Sequence, residues 1–105
     1  MTIIETHTFR RRIDALMPSE DYRLLQLKLL SEPDAGSVVP SSGGVRKIRW
    51  SISGRGKRGG LRVMYCHNAT RGVILMLFVF AKNERSDLTK EQLAQLSKMV
   101  QEEIR

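Results

Sequence analysis

Two predicted strands and the loop that joins them occupy residues 43–65, which read GGVRKIRWSISGRGKRGGLRVMY. Apolar and polar residues alternate from Val45 to Ser53, which is typical of a strand with one face in the core. The other face of this strand carries Lys47 and Arg49. A glycine-rich loop follows, and then a second predicted strand at residues 61–66. We therefore expect a hairpin with one strongly positive face.

The segments on either side of this hairpin predict an α+β fold. Residues 2–6 are typical of a short edge strand. Helical spacing of apolar residues predicts one helix over residues 9–17 and another from an N-cap at Ser19 to near Pro33. Residues 73–81 are apolar at nearly every position, as expected of a central strand covered on both sides. Its short connection to the preceding strand favours antiparallel pairing.

A loop rich in Pro, Gly and Ser is predicted at residues 31–44, before the hairpin. Near the other end of the chain, Thr89 and Gln92 have the spacing of a capping box, which predicts the start of a C-terminal helix. A chain of 105 residues has room for one modest core. We expect a single domain over residues 1–105, with a twisted, mostly antiparallel sheet packed against N-terminal helices and a C-terminal helix.

Positive charge is concentrated in the middle of the chain. The net charge is +7, and residues 35–83 carry nine Lys and Arg residues but no Asp or Glu. Charge collected in one segment acts as a directed field, for which a polyphosphate is the commonest partner. The alternative is a solvated basic face that only aids solubility, although such faces usually mix signs. The residues expected to face phosphate include Arg46 on the first strand and Arg55, Lys57 and Arg58 on the mobile loop.

Composition argues against several classes of protein. No secretory signal opens the chain, and its longest apolar run is about half of what a membrane span requires. The lone Cys66 cannot form a disulfide within the chain, which fits a cytoplasmic protein. His7 and His67 lack partners at metal-ligand spacing, so we expect no metal and no cofactor. The loop matches G-x-G-x-x-G, but a strand follows it where a dinucleotide site needs a helix.

RNA can be cleaved without acidic or histidine side chains, because its own 2′-hydroxyl is a nucleophile. Attack on the neighbouring phosphate needs a proton acceptor, cations at the phosphate and a proton donor for the leaving 5′-oxygen. Repulsion from nearby guanidinium groups disfavours the charged form of Lys47, which makes this residue a candidate base. Arg49 shares its strand face, and Arg62 on the next strand can clamp the phosphate. The alternative is that all three only hold phosphate.

Tyr65 has two interpretations. It is either a core residue, packed with Leu61 and Val63, or a lip of the site. Trp50 is more often a core residue than a platform for RNA bases, because Ile48 and Ile52 lie beside it on the same strand face.

The chain resembles the RelE/ParE toxin superfamily, and most closely its HigB-type, RelE-like branch. The resemblance covers nearly the whole chain. It is carried by the element order, the Val-Arg-Lys-Ile-Arg strand, the Gly-Lys-Arg-Gly-Gly-x-Arg-x-x-Tyr stretch ending at Tyr65, and Phe-Ala-Lys-Asn-Glu-Arg-Ser-Asp-Leu at 80–88. It implies a RelE-like fold and a bacterial toxin paired with a cognate antitoxin. It also implies an mRNA interferase, which cleaves mRNA in the A site of the 70S ribosome by metal-independent 2′-hydroxyl attack.

The resemblance assigns individual residues. Lys47 and Arg49 fall where RelE-type members have two active-site lysines, and Arg62 falls where they have a phosphate-contacting arginine. Lys82 matches the lysine of their Gly-Lys-Arg-Glu-Arg-Ser segment. These four are the predicted catalytic residues. The predicted RNA-binding residues are Arg46, Arg55, Lys57, Arg58, Tyr65 and Asn83.

Two positions depart from the family pattern. Asn83 stands where an arginine proposed as general acid is found, and Thr89 stands where an active-site tyrosine is found. The general acid is therefore Lys57, Arg58, Lys82 or a group of the ribosome. Two other functions remain as alternatives: a ParE-like gyrase inhibitor and a non-catalytic RNA- or ribosome-binding module. The charged strand and loop argue against the first, since gyrase-directed relatives generally lack the full basic set.

Overall fold

The computed structural model describes residues 1–52, 60–85 and 87–104 of this chain. In chain order, its elements are β1 (Thr2–Glu5), α1 (His7–Leu16), α2 (Ser19–Ser31), β2 (Ser37–Val38), β3 (Arg46–Trp50), β4 (Leu61–Asn68), β5 (Val73–Ala81) and α3 (Lys90–Ile104). They confirm the predicted α+β class. The short strand β2 was not predicted, because its two residues lie within the Pro-, Gly- and Ser-rich segment. Within the described ranges, no helix has the length and apolar character of a membrane span.

The five strands form one sheet in the order β1-β5-β4-β3-β2. β5 is an interior strand covered on both sides, as predicted, and pairs antiparallel with β4. β3 pairs antiparallel with β4 and with β2. Among the described strands, only β1 and β5 run parallel, because the α1–α2 hairpin and most of the sheet separate them in the chain. The prediction of a mostly antiparallel sheet with β1 at its edge is confirmed.

Helices α1 and α2 cover one side of the sheet. Phe9 and Ile13 from α1 and Leu25 and Leu29 from α2 are buried there with alternate strand residues such as Val63. On the other side, α3 buries Leu96 and Val100. These two residues pack with a second set of strand residues, which includes Met64, Cys66 and Leu77. We call these two faces of the sheet the α1–α2 side and the α3 side.

A bulge interrupts the pairing of β4 with β5. Met64 lies opposite Phe78, whereas the next residue, Tyr65, lies opposite Met76, so that Leu77 is an extra residue on β5. Side chains alternate along a strand, and one extra residue therefore reverses which of them face a given side. Leu77 and Phe78 both face the α3 side in consequence. From this point to the end of β5, the residues on the α3 side are those with even numbers.

The start of α1 closes the part of the β5 edge that β1 does not reach. The hydroxyl of Thr6 accepts a hydrogen bond from the backbone N–H of Phe9 (3.1 Å) and donates one to the carbonyl of Leu77 (2.9 Å). One turn further along, Nε of Arg12 donates to the carbonyl of Val79 (2.7 Å). These side chains satisfy backbone groups that would otherwise need a further strand.

The helix caps were predicted with mixed success. α3 begins with the expected capping box, in which the N–H of Thr89 donates to Gln92 Oε1 (2.9 Å) and the N–H of Gln92 donates to Thr89 Oγ1 (3.1 Å). The predicted N-cap at Ser19 is wrong by one residue. Ser19 is the first residue of α2, and Pro18 is its N-cap, without a side-chain capping bond. The extended backbone of Pro18 brings the chain into the helix directly.

Candidate active site

Two predicted catalytic residues are direct neighbours across the pairing of β3 with β4. Arg49 lies opposite Arg62. Arg62 alternates in phase with Met64 and Cys66, whose side chains are in the α3-side core, so both arginines lie on that side of the sheet. Residues directly opposite in an antiparallel pair have Cβ atoms about 4.5–5.5 Å apart. From Cβ atoms this close, both side chains can direct their guanidinium groups to one anion, which makes the pair suited to phosphate.

An open cleft of about 350 Å³ lies at this pair. The residues that line it are Arg49, Trp50, Ser51, Gly60, Arg62 and Lys82. Lys82 directly follows β5, and its backbone N–H donates to the carbonyl of Gly60 (3.3 Å). Arg62 is only 9% exposed, whereas Arg49 and Lys82 are exposed. The fold thus brings three of the four predicted catalytic residues into one cleft, and none of the described residues that line it is acidic.

Lys47 lies on the same strand face as Arg49, two residues before it, and does not line the cleft. Its Nζ is 3.7 Å from Oδ2 of Asp87. Sequence reasoning missed this carboxylate, because Asp87 is 40 positions away and only the turn after β5 returns it to β3. The one hint in the sequence that Asp87 belongs near the site was its position within residues 80–88, the segment that carries part of the family resemblance. Asp87 offsets part of the positive charge around Lys47 and restrains its ammonium group.

Arg46 lies on the α1–α2 side, away from the cleft. Its Nη1 donates to the carbonyl of Gly36 (2.7 Å) and to that of Asp34 (3.2 Å). Nη2 is 3.5 Å from Oδ1 of Asp34. Arg46 was predicted to bind RNA on the basis of its charge alone. Strand alternation puts it in phase with Ile48, which packs on the α1–α2 core. Through these contacts, Arg46 holds the segment between α2 and β2 in place.

Asp34 is the second anchor of this segment. Oδ1 of Asp34 is 2.9 Å from Nδ1 of His67. This hydrogen bond, together with the nearby charge of Arg46, holds the pKa of the Asp34 carboxyl below its usual value. His67 therefore has a structural partner in Asp34.

Tyr65 is a core residue, with 0% exposure. Its hydroxyl donates to the carbonyl of Pro33 (2.7 Å) and accepts from the N–H of Gly36 (2.9 Å). Burial raises the pKa of this phenol. A Cβ atom at Gly36 would lie 2.8 Å from Cε1 of Tyr65, so a glycine is needed for this close approach. The placement of Tyr65 in the RNA-binding set is corrected: of its two interpretations, the structure supports the core.

We expect Tyr65→Phe to lower the free energy of unfolding by about 1–3 kcal/mol, because it leaves the buried N–H of Gly36 without its acceptor. Urea unfolding of the two proteins measures this difference. Cleavage and RNA binding should stay unchanged when both proteins are fully folded. Unchanged stability combined with weaker RNA binding would contradict the structural role and return Tyr65 to the RNA-binding set.

Four other residues are predicted to bind RNA, and the structure describes one of them. Asn83 is exposed in the turn after β5, next to Lys82. Arg55, Lys57 and Arg58 lie outside the described residues. Trp50 packs on the α1–α2 core and also lines the cleft, and its buried Nε1 has no hydrogen-bond partner within the described part of the chain.

The chemistry available at the cleft is that of closely spaced cations. Guanidinium groups bind phosphate oxygens in bidentate fashion, and fixed cations stabilise charge that develops at a reacting phosphate. Across residues 1–52, 60–85 and 87–104, no three His, Cys, Asp or Glu residues come together as ligands for a metal ion. The charge of the described cleft thus suits a phosphate-bearing molecule.

Comparisons with known proteins agree with this fold. The family model described as the RelE toxin of the RelE/RelB toxin–antitoxin system matches residues 20–104, which include all the described cleft residues. A solved structure of the E. coli toxin RelE in the free state, a mutant with two arginines replaced by alanine, is similar in fold. Its TM-score is 0.64 at 14% sequence identity, covering 94% of this chain and 96% of that one. The family match spans most of the chain, and the chain belongs to the RelE toxin family of toxin–antitoxin systems.

Proposed function

We propose that this toxin is a ribosome-dependent endoribonuclease, which cleaves translated mRNA in the ribosomal A site and acts in the cytoplasm. The observation that carries the proposal is the register of β3 with β4, which sets Arg49 opposite Arg62 in a cleft that also contains Lys82. Three cations around one position can together bind the oxygens of a single, negatively charged phosphate group. Family membership supplies the other partner, an antitoxin.

In the proposed reaction, the 2′-hydroxyl of one nucleotide attacks the phosphorus that follows it. A bond forms between the 2′-oxygen and phosphorus, and the bond from phosphorus to the next 5′-oxygen breaks. The products carry a 2′,3′-cyclic phosphate and a 5′-hydroxyl. The neutral form of Lys47 accepts the proton of the 2′-hydroxyl. Lys82 or a group of the ribosome returns a proton to the leaving 5′-oxygen.

The two arginines have different tasks in this proposal. Arg62 is largely buried, so its guanidinium is held in place and can bind the non-bridging phosphate oxygens, on which charge grows in the transition state. Arg49 is exposed, and its role is to capture the phosphate from solution and to share the charge. Asp87 is a positioning residue, which restrains Lys47 next to the cleft.

Dependence on the ribosome follows from what the cleft lacks. It is open, and none of the described residues that line it forms an acid–base pair of the usual kind. Fixing reactants in a reactive geometry can contribute about 7–11 kcal/mol to a barrier, so an enclosing ribosomal A site can supply most of the missing catalysis.

Mapping of mRNA 5′ ends after brief induction tests this function. We expect translation to stop within minutes, with new cuts inside translated codons and little cutting of the same RNA without ribosomes. The double variant Arg49→Ala/Arg62→Ala is the matched control and should leave mRNA intact. Arrest of DNA supercoiling with intact mRNA would favour gyrase inhibition, and ribosome binding without cuts would favour a non-catalytic binding module.

A further inference from the structure

A network of side chains joins helix α1 to the turn that follows β5. Arg12 donates through Nε to the carbonyl of Val79 (2.7 Å) and through Nη2 to Oε1 of Glu84. The same Oε1 accepts a hydrogen bond from the backbone N–H of Ala81 (3.1 Å). We call this arrangement the Arg12–Glu84 bridge. It ties two alternate residues at the end of β5, Val79 and Ala81, to α1.

Several contacts restrain both members of the bridge. The guanidinium of Arg12 lies over the ring of Phe78, with Cζ 4.8 Å from the ring centroid. Glu84 belongs to the turn itself, and its backbone N–H donates to the carbonyl of Ala81 (3.1 Å). Backbone and side chain of Glu84 therefore both bind Ala81. The hydrogen bond from Ala81 and the charge of Arg12 hold the pKa of the Glu84 carboxyl below its usual value, so the bridge is ionised at neutral pH.

The bridge lies directly beside a predicted catalytic residue. Lys82 follows Ala81 and lines the cleft, and its backbone N–H donates to the carbonyl of Gly60 (3.3 Å). The turn is thus attached to the β4 side through Lys82 and to the α1 side through Ala81 and Glu84. Because Lys82 is exposed, little packing restrains its side chain. These backbone attachments therefore set the point from which its ammonium group reaches into the cleft.

Stability alone does not account well for this bridge. The side chains of Arg12 and Glu84 are 29% and 34% exposed, and an ion pair at the surface contributes only about 0–1 kcal/mol to stability. Neither residue lines the cleft, so neither contacts a phosphate bound there. What the bridge does is to fix one end of the turn that carries Lys82.

We propose that the Arg12–Glu84 bridge positions Lys82 for cleavage, an inference that rests on the proposed nuclease function. Arg12 and Glu84 are positioning residues, which act on the reaction through the turn. With the bridge intact, the ammonium group of Lys82 meets the phosphate and the leaving 5′-oxygen. Without it, the turn keeps only its attachment to Gly60, and the ammonium group spends less time at the reacting atoms.

Single-turnover cleavage on programmed ribosomes, with ribosome binding measured beside it, tests this role. Glu84→Ala should lower the rate at saturation by about 10–100-fold, since a displacement of about 1 Å can cost that much. Affinity should change little, because Arg49 and Arg62 still bind the phosphate. Adding Glu84→Ala to Lys82→Ala should cost little more than Lys82→Ala alone, because both act through one ammonium group.

Asp14→Ala is the matched control. It removes a carboxylate that pairs with Arg10, an arginine of the same helix as Arg12, and it should cleave at the wild-type rate. Melting curves of all variants identify the temperature range in which each is folded, and rates are compared within that range.

Two conservative variants separate the bridge from a simple effect of charge. Glu84→Gln loses the charge but keeps an oxygen for the N–H of Ala81, so it should cleave faster than Glu84→Ala. Arg12→Lys keeps the charge but replaces the fork of the guanidinium by one nitrogen, so it should cleave more slowly than wild type. The reverse order, with Glu84→Gln as slow as Glu84→Ala and Arg12→Lys as fast as wild type, overturns the proposal.

A wild-type rate for Glu84→Ala also overturns the proposal, and so does full additivity of Glu84→Ala with Lys82→Ala. Hydrogen exchange at the backbone N–H of Lys82 gives a measure that does not depend on cleavage, and it should be faster in Glu84→Ala than in wild type. Unchanged exchange would show that the bridge does not hold the turn. A wild-type protein that fails to cleave, together with faster exchange in Glu84→Ala, would refute the nuclease function and leave the bridge standing as the support of Lys82.

Discussion

Replacing Arg62 by alanine should lower the single-turnover rate of mRNA cleavage on programmed ribosomes by about 10²–10³-fold, or about 2.7–4 kcal/mol of transition-state stabilisation. The reason is that a largely buried guanidinium is held where charge develops and needs no reorganisation during the reaction. Binding to the ribosome should fall much less, because Arg49 and Lys82 remain in the cleft. The rate and the affinity are measured on the same preparation.

Two further variants make this test specific. Arg71→Ala removes an equal charge from the turn at the opposite end of β4 and β5 and should cleave at nearly the wild-type rate. Arg62→Lys keeps the charge but loses the bidentate fork, so an intermediate rate is expected. Melting curves are recorded for all variants, since Arg62 is partly a packing residue. A wild-type cleavage rate for bound Arg62→Ala would show that the transition-state role belongs to another group.

The largest stability effect is expected for Leu77→Ala, at about 2–5 kcal/mol of unfolding free energy. Leu77 is fully buried on the α3 side, in the same cluster as Leu96 and Val100. The substitution removes buried methyl groups and leaves a cavity beneath α3. For a domain of this size, each kcal/mol lowers the melting temperature by roughly 4–8 °C, so calorimetry resolves the effect easily.

Leu24→Ala is the matched control, because it removes the same atoms from an exposed position of α2. Its unfolding free energy should stay within about 0.5 kcal/mol of the wild-type value. A loss at Leu24 as large as that at Leu77 would mean that the outer face of α2 is covered in the isolated protein. The same pair of variants thus checks the burial of Leu77 and the exposure of Leu24.

The convergence of Arg49 and Arg62 could be predicted, because it follows from short-range rules. Two adjacent strands joined by a glycine-rich loop form a hairpin, and alternation within the first strand separates charged from apolar residues. The uninterrupted apolar run of β5 likewise indicated a strand covered on both sides. For Arg46, the same alternation already indicated the α1–α2 side, away from the cleft, and its role in RNA binding stays a prediction.

The features that escaped prediction depend on contacts between distant parts of the chain. The ion pair of Lys47 with Asp87 exists because the turn after β5 returns across the sheet to β3. The two-residue strand β2 forms only because β3 offers it an edge. The anchoring of Tyr65 by Pro33 and Gly36 joins a strand to a loop about 30 residues earlier. Periodicity within a short window carries no information on such contacts.

Because of the extra residue at Leu77, the effect of losing one residue from β5 depends on where in the strand it is lost. Deleting Leu77 itself would restore simple alternation and leave Phe78, Phe80 and Lys82 on the α3 side, whereas deleting Val79, beyond the bulge, would turn Phe80 and Lys82 toward the α1–α2 side. One lost codon would thus empty part of a core and withdraw a cation from the active site at once. A codon gained or lost in the turn at residues 69–72 shifts none of these side chains. In the genes of such toxins, single-codon deletions should therefore be tolerated in that turn and purged from the part of β5 beyond the bulge.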